Sequence, residues 1–116
     1  MKIYIICPVR NQTEEQVSTI MLHATRLRVF FGHTVHVPML DAPQEDETGY
    51  YICCVHCRAM EEADRVDVFW DESSLGSHFD LGMAFALRKK LNLVEVFNGS
   101  TEKSYLSFLK ELIRRQ

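Results

Sequence analysis

The chain has no long hydrophobic run, no excess of positive charge, and no internal repeat, linker or low-complexity tract. The first absence excludes a membrane-spanning helix, which needs about 20 consecutive apolar residues. The N-terminal run Met1-Lys2-Ile3-Tyr4-Ile5-Ile6-Cys7 is also too short for the apolar core of a signal peptide, so a cytoplasmic location is expected. The second absence, 13 Lys and Arg against 16 Asp and Glu for a net charge of −3, argues against a nucleic-acid partner, whose binders show a basic footprint. The basic pairs near 88–90 and 114–115 read as cations at helix ends, where they suit the macrodipole. Tryptophan occurs once, as Trp70. It reads either as core or as a flat surface for stacking.

Cysteine is not scarce, but its pattern is incomplete as a metal site. Cys53, Cys54 and Cys57 are crowded together with His56, and Cys54-x-x-Cys57 has ligand spacing. No second such pair completes a tetrahedral set. His33 and His36 fall on another element, where a strand would direct them to opposite faces. No metal and no cofactor are expected, and the four thiols, Cys7 included, are expected to be free.

What is present is an ordinary globular composition, 47% hydrophobic and 25% charged over 116 residues, enough for one domain spanning 1–116. Residues 2–7 form a β-branched and aromatic run that predicts a buried strand ended by Pro8. Thr13 with Glu14 and Glu15 opens a helix whose stripe is Val17, Ile20, Met21, Ala24, Leu27 and Phe31, stopped at Gly32. A second strand is expected over 33–39, a polar mobile loop over 40–48 with Pro43 and four acids, and a helix over 49–64 facing inward through Ile52, Val55, Ala59 and Ala63. A third strand follows at 65–70, a helix at 77–90 and a fourth strand at 91–97. Ser100 or Thr101 would cap a last helix with Tyr105, Phe108, Leu109 and Leu112 buried. This alternation predicts a three-layer α/β fold, flavodoxin-like or Rossmann-like, with a parallel sheet of four or five strands and helices on both faces. Strand order 2-1-3-4 is expected.

In such a sheet ligands bind beyond the carboxyl ends of the strands. The stretch Trp70-Asp71-Glu72-Ser73-Ser74-Leu75-Gly76-Ser77-His78-Phe79-Asp80-Leu81-Gly82 is a strand-to-helix junction of that kind. Ser77 and Asp80 at a three-residue spacing fit a capping box, in which Asp80 would only satisfy helix amides. The alternative is a ligand site: Gly76 and Gly82 leave room for close approach, and Ser73, Ser74 and Ser77 with the free helix amides would cradle a phosphate or hydroxyl. Pro8, Arg10 and Asn11 follow the first strand at the same edge, Asp41 the second and Asp71 the third, a convergence expected of a pocket.

Ala63-Asp64, a hydrophobic strand, then Ser74-Leu75-Gly76 and Asp80-Leu81-Gly82-x-Ala84-x-Ala86-Leu87 resemble the nucleoside 2-deoxyribosyltransferase family, which includes 2′-deoxynucleoside 5′-phosphate N-hydrolases and CMP hydrolases. The opening residues 2–8 and Gly32-His33-Thr34-Val35 are similar as well, and the Gly76-Ser77-His78 version is closest in look to small bacterial and phage members. The resemblance implies cleavage of the N-glycosidic bond of a nucleoside or nucleoside 5′-monophosphate, by hydrolysis or deoxyribosyl transfer. The family's nucleophile is normally Glu at the position of Asp80, and its serine at the position of Ser74 contacts the 5′-phosphate in the nucleotide hydrolases. His56, or in a neighbouring alignment Cys57, stands where the family commonly has an Asp that contacts substrate, and a histidine there could protonate the departing base. The family also implies a homodimer or higher homo-oligomer. Tyr50, Tyr51, Ile52, Met60, Met83 and Phe85 read as an apolar surplus suited to such an interface. The rival reading is a non-catalytic nucleotide-binding or sensing module on the same scaffold.

Overall fold

A computed structural model describes residues 1–41 and 45–116. The elements run β1 (Lys2–Ile6), α1 (Glu14–Val29), β2 (Thr34–His36), α2 (Pro38–Asp41), α3 (Tyr50–Glu62), β3 (Arg65–Asp71), α4 (Leu75–Ala86), β4 (Leu91–Asn98) and α5 (Tyr105–Arg115). Among the described residues four strands form one parallel sheet in the order β2-β1-β3-β4. The expected fold class and strand order both hold.

Side-chain alternation along the strands divides the core into two layers. Ile3 and Ile5 of β1, Cys7 just beyond it and Phe69 of β3 pack with Ile20, Ala24 and Leu27 of α1. Tyr4 and Ile6, with Val66, Val68 and Trp70, face the opposite way, against Met60 of α3, Leu81 and Ala84 of α4 and Leu106 and Leu109 of α5. Asp67 also faces the α1 side, fully buried. Its carboxylate accepts from the Arg65 guanidinium at 2.7 and 3.0 Å and lies 2.7 Å from His23 Nε2.

Several boundaries differ from expectation for local reasons. β2 is short because Pro38, whose φ suits a first helical turn, opens α2 instead of extending the strand. Leu40 and Asp41 therefore belong to a helix, and Pro43 of the expected loop lies outside the described residues. α1 ends at Val29 with Phe30 as its cap, which leaves Phe31 exposed and stacked on His33. The buried ridge of α3 is His56 and Met60, one step round from the expected stripe. α5 is capped by Ser104 in a reciprocal pair with Ser107, not by Ser100 or Thr101, and its Tyr105 is exposed. Among the described residues no helix is long and apolar enough to cross a membrane.

Candidate active site

A cavity of about 500 Å³ lies at the carboxyl ends of β1 and β3. Cys7, Val9, Arg10 and Asn11 line it from the β1 side, Ile52, Cys53 and His56 from α3, and Asp71, Ser73, Ser74, Leu75, Gly76, Phe79 and Asp80 from the β3–α4 junction. Arg10, Asn11 and Asp80 thus share one crevice. Asn11 holds a left-handed φ of 59°, a conformation asparagine tolerates better than most residues.

The β3–α4 junction is built by short-range hydrogen bonds. Asp71 Oδ1 accepts from the Ser73 amide at 2.9 Å and from Ser73 Oγ at 2.6 Å, turning the chain out of the strand. Ser74 then caps α4, its Oγ accepting from the Ser77 amide at 3.2 Å. The helix therefore starts two residues earlier than expected. The capping-box reading of Ser77 and Asp80 is overturned: Ser74 is the cap, and Asp80 lies beyond the first turn, where no orphan amide needs it. Gly76 and Asp80, four apart, lie on one helix face toward the cavity. A Cβ at Gly76 would meet nothing within 4 Å, so the space beside it is open.

Asp80 is only 6% exposed, and its Oδ2 accepts from Tyr4 Oη at 2.9 Å. Burial raises its pKa to about 7, with the Tyr4 hydrogen bond working in the opposite direction. Burial, and then the charge and hydrogen bond of Asp80, push the Tyr4 phenol far above its ordinary range. Cys7, buried beside Asp80, is raised to about 12 and is a protonated thiol at neutrality. His56 lines the cavity, and its Nδ1 lies 3.2 Å from His36 Nε2. Burial, and then the neighbouring His36, lower its pKa to about 4. A ring so weakly basic is neutral at pH 7, which removes the reason to assign it as proton donor to a leaving group.

Other expected contacts are arranged differently. Pro8 and Ser77 are buried and do not line the cavity. Ser77 Oγ has no hydrogen-bond partner among the described residues. Gly82 is exposed and away from the cavity, and a Cβ there would meet nothing within 4 Å, so no close approach inside this chain explains it. Trp70 is fully buried, its Nε1 donating to Glu72, so the stacking alternative falls and the core reading stands. Cys57 Sγ donates to Glu61, and all four cysteines are free. No group of three or more metal-ligating side chains occurs among the described residues.

Two residues that hold the cavity's side chains, Tyr4 against Asp80 and His36 against His56, are not among the site residues expected from the sequence. Tyr4 looked like one more apolar member of a strand run, although a phenol at a fully buried strand position needs a partner and so signals one. His36 was set aside with His33 as a member of an incomplete metal set.

No family model matches the chain, and no curated protein matches it significantly. Solved structures do. The 2-deoxyribosyltransferase of Bacillus psychrosaccharolyticus superposes with a TM-score of 0.70 at 24% identity over 89% of this chain and 77% of its own. The CMP N-glycosidase BcmB of Clostridium botulinum gives 0.65 at 16% identity, over 97% and 82%. A conserved protein of Enterococcus faecalis V583 gives 0.59 at 14% identity, over 100% and 99%. At these identities the likeness establishes a shared fold.

Proposed function

We propose that this chain cleaves the N-glycosidic bond of a nucleoside 5′-monophosphate, by hydrolysis or by transfer, with Asp80 as nucleophile. The observation that carries the reading is a buried carboxylate held by one oxygen against Tyr4 and facing a 500 Å³ cavity at the carboxyl edge of the sheet. Two of the similar folds, a 2-deoxyribosyltransferase and a CMP N-glycosidase, support it.

Tyr4 occupies Oδ2, which leaves Oδ1 for attack. Oδ1 attacks C1′ as the C1′–N bond breaks, and the electron pair leaves with the base, which takes up a proton from solvent. The resulting glycosyl ester is resolved by water or by a second base attacking C1′, which returns the carboxylate. His56, neutral, hydrogen-bonds the base. The Leu75 and Gly76 amides at the start of α4, the Ser74 hydroxyl and Arg10 hold the phosphate, where the helix dipole favours an anion. Asp71, with Oδ1 already engaged by Ser73, offers Oδ2 to a sugar hydroxyl.

Incubation with the common nucleosides and their 5′-monophosphates, followed by chromatography for free base, tests the reading. Release from monophosphates is expected. Binding without release from any of them would leave the sensing module instead. Because the nucleophile must be ionised, kcat/KM is expected to rise with pH through about 7 and level off above 8.

The site also borders exposed apolar side chains of α3 and α4 that no described element covers. Tyr50 is 76% exposed, Tyr51 61%, Leu75 85%, Phe79 54% and Phe85 52%. Met60, expected in this surplus, is fully buried and belongs to the core, while Ile52 and Met83 are half-buried. A homodimer or higher homo-oligomer of a cytoplasmic protein that packs this face against a second copy is proposed. Sedimentation at micromolar concentration is expected to give at least a dimer, and Phe79→Ser with Phe85→Ser to shift it to monomer. A monomeric wild type would refute the assembly.

A further inference from the structure

Tyr4, His36 and His56 form a cluster of three rings behind the carboxylate. The His36 ring stacks on Tyr4 with centroids 5.0 Å apart and 24° between planes, and meets the His56 ring edge-on at 5.4 Å. His36 Nε2 and His56 Nδ1 are 3.2 Å apart. Two imidazole nitrogens in contact form a hydrogen bond only when one carries a proton and the other does not. With both rings neutral, two arrangements satisfy that condition. In one, His36 Nε2–H donates to His56 Nδ1, and His56 carries its own proton on Nε2. In the other, His56 Nδ1–H donates to His36 Nε2, His56 Nε2 is bare, and His36 carries its proton on Nδ1. Burial holds both rings below the usual imidazole range, so the neutral pair is the state at pH 7.

The two rings border different spaces. His56 lines the large cavity, whereas His36 lines a separate groove of about 200 Å³ shared with Thr34, Asp41 and Glu62. Among the described residues neither His56 Nε2 nor His36 Nδ1 has a protein hydrogen-bond partner, and neither is sealed from solvent. The two arrangements therefore interconvert with every proton accounted for. The His36 Nε2 proton crosses to His56 Nδ1, the His56 Nε2 proton leaves to solvent in the cavity, and His36 Nδ1 takes one from solvent in the groove. Asp41, on the groove side, favours a proton on His36.

We propose that His36 is a specificity-positioning residue, which by reversing its hydrogen bond with His56 lets His56 Nε2 act as donor or as acceptor, so that the site takes amino and oxo bases alike. The proposal rests on the reading that the cavity holds a nucleobase. A 6-amino purine or 4-amino pyrimidine presents an N–H donor where its oxo counterpart presents an oxygen acceptor. A nitrogen fixed in one state would meet one of each pair with two donors or two acceptors, a mismatch worth about tenfold or more in affinity. A reversible pair meets both.

The test uses the Asp80→Asn protein, in which bound nucleotide stays intact, titrated calorimetrically with the 2′-deoxy 5′-monophosphates of adenine and hypoxanthine, and of cytosine and uracil. Within each pair that binds, dissociation constants are expected within about threefold of each other. His36→Phe keeps the stack on Tyr4 but leaves His56 Nδ1 without a partner. A buried bare nitrogen is tolerated better than a buried orphan N–H, so His56 becomes fixed as a donor at Nε2, and preference is expected to move about tenfold toward the oxo base. Nitrogen-15 NMR of the ring nitrogens reads the same event without the substitution: His56 Nε2 protonated with the oxo nucleotide and bare with the amino one. The same His56 tautomer in both complexes, or a preference of about tenfold or more with His36 intact, overturns the proposal while leaving the cavity's function standing. Binding of none of the four overturns both.

Discussion

Asp80→Asn is expected to cut base release by on the order of 10³-fold or more while making the fold more stable above pH 7. The first effect follows from removing the anionic oxygen that forms the ester. The second follows from linkage. The Asp80 carboxyl is raised from 3.8 to about 7 in the folded chain, chiefly by burial. The folded state therefore binds this proton more tightly than the unfolded state does. That contribution is complete below pH 4 and is lost as pH rises through 7. Asparagine has no proton to lose and still offers an oxygen to Tyr4, so it escapes the loss. The gain over wild type at pH 8 relative to pH 4 is roughly 2–4 kcal/mol, since each tenfold difference in proton affinity between the folded and unfolded states is worth about 1.4 kcal/mol. Thermal melts at the two pH values, with base release measured on the same preparations, check both halves. Loss of activity with equal loss of stability at pH 8 would mark Asp80 as a structural group. Asp80→Glu, which restores the usual family reach, is expected to keep activity if the cavity admits the extra methylene.

Tyr4→Phe is the second large effect, and its signature is a shape in the pH profile. The phenol stabilises the ionised form of Asp80, against the burial that raises it. A hydrogen bond to a charged group is worth about 1.5–3 kcal/mol, so its removal should move the ionisation from about 7 to about 8 or 9. At pH 7 the rate is expected to fall by about five- to fiftyfold, and at pH 9 most of the loss should return. A uniform fall across pH would show that Tyr4 only packs the core. The ring's stack on His36 survives the substitution, which keeps the two effects separable.

These two residues also show what a sequence discloses. The alternation of strands and helices, the parallel sheet and its order were legible because each rests on local periodicity and on the handedness of crossovers. The β3–α4 junction was legible for the same reason, with a polar turn between two apolar patterns. Its fine structure was not. Ser74 and Ser77 are equally good caps by type, and only the turn made by Asp71 and Ser73 selects Ser74. Tyr4 and Asp80 are 76 residues apart in the chain and meet only because β1 and β3 are neighbours in the sheet. His36 and His56 meet across β2 and α3, a contact that no spacing rule encodes. The exposed rings of Phe31 and Tyr105 lie beyond local pattern for the opposite reason, since periodicity proposes a face without saying whether anything covers it.

The mechanism turns on a covalent bond to Asp80, and the most direct measurement is to trap that bond. A 2′-fluoroarabino nucleoside 5′-monophosphate slows breakdown of a glycosyl ester more than its formation. Wild-type protein incubated with this compound and examined by intact mass, then by peptide mapping, should carry one sugar-phosphate adduct per chain on the peptide containing Asp80. One equivalent of free base should appear with it, and Asp80→Asn protein should stay unmodified. Release of base well beyond one equivalent from protein that remains unmodified, or an adduct on a different residue, would contradict the mechanism.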